Sequence, residues 1–133
     1  MDNLIEKRNA GSLIGIGLDQ LHKESREWIE TVEFWKDEIH FFDTILQKKV
    51  AHKEPDFKGL LENMGKVHEY LFTYLKDEIY AHERLLSRLQ QGEKGLADVD
   101  YRNKHDELKG KMELFTKDFM EFKRMVFGYA KNF

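Results

Sequence analysis

Glu78 and His82 stand one helical turn apart in a stretch whose seam is otherwise apolar, between Leu75 and Leu85. A carboxylate left alone in such a place would cost several kcal/mol, so other segments must answer it. The candidates are His105, the only clearly polar side chain in a third apolar seam, and Ser25 with His22 in a first one. Two chemistries suit this set. Imidazoles and a carboxylate projecting from facing helices are the usual way a bundle holds iron or zinc, and His22, Glu78, His82 and His105 would be the ligands. Alternatively, Glu78 pairs with protonated His82 or His105 in a hydrogen-bonded polar layer that fixes helix register and does no catalysis.

The elements that would carry these residues follow from hydrophobic spacing. Tyr101, His105, Leu108, Met112, Phe115, Phe119, Phe122, Val126, Tyr129 and Phe133 recur at alternating gaps of four and three, the repeat by which one helix lies along another. The same register runs through Leu18, Leu21, Ser25, Trp28, Val32, Trp35, Ile39, Phe42 and Leu46, and through Leu61, Met64, His68, Leu71, Leu75, Glu78, His82, Leu85 and Leu89. Pro55 with Asp56 suits a helix entry, Gly92 and Gly95 suit a helix stop, and Asp98 suits a cap. The expected elements are helices over about 18–50, 56–90 and 98–130, each a rod of roughly 45 Å. Short connections make them an antiparallel up-down-up bundle. Residues 1–17, with Gly11, Gly15 and Gly17, read as a flexible or partly helical leader, and 18–133 as the bundle domain.

If the first turn is centred near residue 53, Glu78 and His82 fall opposite Ser25 and Trp28, with His22 about a turn away; a second turn near residue 94 brings His105 level with roughly residue 83. The same reckoning sets His68 opposite Glu38, as a register pair. His40 and His52 read as solvated.

The second helix is apolar over four positions, since Leu60, Val67, Tyr74 and Ala81 flank its seam on one side and Phe72, Ile79 and Leu86 on the other. A stripe this broad needs more than one partner helix. Phe34 and Phe41 on the first helix, and Met120 and Phe127 on the third, also lie outside the seams. Large apolar groups so placed mark an association surface, covered either by the leader residues Leu4, Ile5, Leu13, Ile14 and Ile16 or by a second copy of the chain. A homo-oligomer is expected, completing four or more helices, and the methionines beside the aromatics suit a groove for a partner helix.

Composition excludes several classes. With 133 residues the chain is one domain. Its 22 basic and 25 acidic residues are interleaved, giving a net charge of −3 without the basic stripe that nucleic acid requires. The absence of cysteine removes disulfides, thiolate catalysis and cysteine zinc sites, and fits a cytoplasmic chain. The apolar run 13–18 is too short to span a bilayer, and serines are too few for a triad. Gly11-Ser12-Leu13-Ile14-Gly15-Ile16-Gly17 has neither the strand before it nor the Gly-Lys-Ser/Thr after it that a phosphate loop needs.

The stretch His82-Glu83-Arg84-Leu85-Leu86 resembles a helix of hemerythrin-like bundles over those few residues, and the resemblance implies the same all-α architecture. Such proteins carry His-x-x-x-His and His-x-x-x-Glu pairs, whereas no histidine of this chain has His or Glu four residues later. Ferritin-like di-iron bundles repeat Glu-x-x-His, where this chain has only Asp19 before His22 and Asp37 before His40. Their metal chemistry is therefore not carried over, and no cofactor is implied.

Overall fold

In the computed structural model the described residues form an all-α bundle of three helices, α1 (Asp2–Lys49), α2 (Pro55–Gln90) and α3 (Asp98–Lys131). The structure describes residues 2–49, 55–93, 95 and 98–131, and side chains from residue 17 to 48 in α1 and throughout the other described segments. His52, Phe133 and the side chains of the leader residues Leu4, Ile5, Leu13, Ile14 and Ile16 lie outside these. Contacts such as Lys76 with Glu33, and Glu38 with Lys123, show α2 antiparallel to α1 and α3 parallel to it.

At the N-terminus, expected to be flexible or partly helical, the helical alternative is the one seen in the backbone. The backbone is helical from Asp2, so α1 runs to 48 residues, about 72 Å. Three glycines lower helix propensity by roughly 1 kcal/mol each without forbidding helix, and no proline breaks the run. The α2 stop behaves as its glycine suggests. Gly92 adopts φ 74°, its N–H donates to the Leu89 carbonyl at 3.0 Å, and the Glu93 N–H donates to the Arg88 carbonyl at 3.1 Å. That pair of bonds is the Schellman closure, which satisfies carbonyls left open at a helix end.

The core follows the expected seams on α1 and α3, with Val32, Trp35, Ile39, Phe42, Leu108, Phe119, Phe122 and Val126 buried together. On α2 the seam is turned. Leu61, Gly65, Phe72, Leu75, Ile79, His82 and Leu86 are buried, so residues expected to flank the stripe form its centre. Leu71 and Glu78, expected in the seam, move to its margin. The reason is size: Phe72 packs on Trp35 and Phe119 at ring separations of 4.9 and 5.0 Å, filling the space between long rods better than Leu71 would. Gly65 lets the Phe122 ring reach within 3.4 Å of where a Cβ would stand. No helix among the described residues is long and apolar enough to cross a membrane.

Candidate functional site: a buried histidine layer

At the end of the bundle near the α2–α3 turn, the apolar packing gives way to a chain of polar groups crossing all three helices. Nε2 of His82 on α2 lies 3.0 Å from Nδ1 of His105 on α3, and Nε2 of His105 lies 2.8 Å from a Glu24 carboxylate oxygen on α1. Both histidines are 2% exposed. Helix position explains the meeting: His82 follows Leu75 and Ile79 down the α2 stripe, and His105 follows Tyr101 along α3. Flat rings fix the layer from either side. Tyr101 stacks on His82 at 4.1 Å and 3°, and Trp28 covers His105 at 4.5 Å.

Hydrogen-bond chemistry gives the chain a direction. A carboxylate only accepts, so His105 Nε2–H donates to Glu24; with both rings neutral, His105 Nδ1 then accepts from His82 Nε2–H. The remaining nitrogen, His82 Nδ1, is buried and without a hydrogen-bond partner. Burial, then the neighbouring His105 and Lys104, push His82 down to about 4, so that its ring is neutral at physiological pH. The hydrogen bond from His105, against some desolvation, holds the Glu24 carboxyl below the usual carboxylate range. Burial and the Glu83 carboxylate raise Tyr101, while the Ser25 hydroxyl opposes them in part. Ser25 itself donates to the Leu21 carbonyl at 3.1 Å.

Of the four ligands expected from the sequence, His82 and His105 are brought together and the other two are engaged elsewhere. Glu78 is at the α2–α3 margin, not opposite Ser25 and Trp28, and its carboxylate is held by Lys111 at 2.9 Å and Lys104 at 3.1 Å. Those lysines keep its carboxyl below its ordinary value against the cost of burial. His22 lies on the α1–α2 side, its Nδ1 2.6 Å from Glu83, beside an open groove of about 340 Å³ that also includes Arg26, Glu30, Glu33 and Tyr80. Among the described residues, no three His, Asp or Glu side chains converge so as to hold a metal ion. His68 does not meet Glu38: its Nδ1 lies 2.7 Å from the Met64 carbonyl and its ring stacks on Phe122 at 5.0 Å, while Glu38 bridges to Lys123. His40 is exposed, as expected.

Glu24 and Glu83 are the site residues that the sequence pattern passed over. Both sit one position off a seam residue, Ser25 and His82, where a wheel assigns them to solvent. Glu24 did carry a signal, because it lies one turn before Trp28, whose ring covers His105.

Comparison of the chain with protein families, with curated proteins and with solved structures gives no match in any of the three.

Proposed function

We propose that this protein is a non-catalytic assembly module of the cytoplasm, a helical bundle that associates with copies of itself, and with partner helices, through apolar faces outside its core. One observation carries the reading: aromatic side chains that a three-helix monomer would bury instead face solvent, with Phe34 62%, Phe41 58%, Tyr70 76% and Tyr74 59% exposed. The histidine layer serves this role as an internal fastener. Its polar atoms are consumed within the protein, and its one unused nitrogen is covered. Sedimentation equilibrium over a wide concentration range tests the self-association, and a mass of 15.9 kDa throughout would contradict it.

The competing reading is an iron or zinc bundle using His22, Glu78, His82 and His105. The unpartnered His82 nitrogen favours it, since a neutral imidazole lone pair is a metal ligand. It requires Glu78 to leave two lysines and His22 to leave Glu83. Elemental analysis of untagged protein separates the two: one metal per chain, lost in His82→Ala, retires the assembly-only reading.

A further inference from the structure

Phe34 and Phe41 sit four before and three after Glu38 on α1, and Met120 and Phe127 sit three before and four after Lys123 on α3. Glu38 and Lys123 form an ion pair at 3.2 Å across the α1–α3 seam. The four apolar side chains therefore surround one bridge on one face of the bundle, one turn above it and one turn below. The Phe42 ring ties the lower pair together, at 5.9 Å from Phe41 and 5.2 Å from Phe127. All four are open to solvent, at 62, 58, 52 and 50% for Phe34, Phe41, Met120 and Phe127. Side chains of this size at this exposure leave about 400 Å² of apolar surface, within the range of patches that function on monomers.

We propose that this quartet is the contact between two copies of the chain, related by a two-fold axis parallel to the bundle. This rests on the assembly reading above and assigns it a surface and a geometry. Such an axis lays α1 of one copy along α3 of the other, running the same way. Because α1 and α3 are level through Trp35 with Phe119, Glu38 with Lys123, and Phe42 with Phe127, the two pairs of apolar residues interleave across the axis. Charge agrees with this choice. Beside the quartet the outer rim of α1 carries the exposed acids Glu30 and Asp37, and that of α3 carries the exposed bases Lys117 and Arg124, with Glu113 at the margin and Glu121 paired to Arg124. Placing α1 on α3 brings acid to base, whereas a two-fold axis across the bundle would set α1 against α1 and acid against acid. The two quartets bury about 800 Å², and the rims bring the contact to about 1,200 Å², where specific interfaces begin.

Sedimentation equilibrium of the wild-type protein is expected to give twice the 15.9 kDa chain mass, and the double variant Phe41→Glu with Phe127→Glu to give the single mass with unchanged helical circular dichroism. A dimer that survives that pair but is broken by Tyr74→Glu with Leu114→Glu, on the α2–α3 face, overturns this contact and leaves the assembly reading standing. A wild-type mass of one chain at every concentration overturns the contact and the self-association with it. The chain has no cysteine, so cross-linking tests geometry even where the glutamate variants fail to fold. Oxidising a mixture of Asp37→Cys and Arg124→Cys chains should yield at least fivefold more cross-linked dimer than either alone. Efficient self-linking of Asp37→Cys would mean α1 against α1, and the proposed axis would be wrong.

Discussion

His82 should make the fold sensitive to mild acid, in a window that opens well above that of the carboxylates. Its ring is pushed down to about 4 from 6.5 by burial first and by His105 and Lys104 next. As pH falls below 6.5, the unfolded chain takes up a proton that the native ring refuses, so native stability declines until pH reaches about 4. A tenfold difference in proton affinity is worth about 1.4 kcal/mol, so the full loss is about 3 kcal/mol, of which about 2 kcal/mol has appeared by pH 5. Glu24 and Glu78 act later. Their carboxyls are held below 4.5 in the native state, so the stability they contribute is present above that value and is lost only as pH falls beneath it. Urea unfolding followed by helical circular dichroism at pH 7, 6 and 5 measures the slope, and His82→Gln supplies the control. Glutamine keeps an amide donor toward His105 but takes up no proton, so its stability should fall by about 2 kcal/mol less over that interval. Equal slopes for the two proteins would refute the reasoning, as would a wild-type stability that does not change between pH 7 and 5.

Glu78→Leu tests the placement of that carboxylate at the margin. Removing it frees Lys104 and Lys111 and should cost about 0.5 to 1 kcal/mol in urea unfolding, whereas a carboxylate sunk in the interior would give a gain on replacement by leucine. Gly110→Ala, whose new methyl meets nothing within 4 Å, should raise stability by about 1 kcal/mol through helix propensity alone; a loss would mean that the site is covered. Tyr101→Phe removes a buried hydroxyl whose nearest polar neighbour, the Ser25 hydroxyl, makes no well-formed hydrogen bond with it. Its stability should be unchanged or higher by up to about 1 kcal/mol, and a melting temperature lowered by several degrees would show that the hydroxyl is satisfied.

The sequence carried the architecture because the spacing that separates helix from strand is unambiguous over such long runs, and because Pro55 and Gly92 mark both breaks. It carried less of α2. Leu60 with Leu61, Leu71 with Phe72, and Leu85 with Leu86 are adjacent apolar residues, so two stripes a fraction of a turn apart fit equally well. Only the partner helices choose between them, through the Phe72 ring against Trp35 and Phe119. That rotation takes Glu78 out of the interior and leaves Ile79 in its place, fully buried. The meeting of His82 with His105 survives it, because position 82 belongs to both stripes. The sequence leaves the N-terminal segment open between flexible and helical for another reason: glycine lowers propensity without forbidding helix, and three glycines in a run free of proline do not mark an end.

What the histidine layer contributes is best seen by sliding α2 along its axis. A shift of one turn, about 5.4 Å, carries the Phe72 ring off Trp35 and Phe119 but still leaves apolar residues facing apolar residues along most of the stripe. The same shift takes His82 out of reach of His105, a separation now 3.0 Å, and leaves two rings 2% exposed with unmet nitrogens. Each such loss costs roughly 1 to 3 kcal/mol, more than an exposed ion pair such as Lys76 with Glu33 can return. The rings discriminate in this way through hydrogen-bond geometry, because Glu24 orients His105 and His105 in turn orients His82. A layer of leucine in their place would bind as strongly but would discriminate less against the slipped register, so His82→Leu with His105→Leu should remain helical while its unfolding becomes broader and less cooperative.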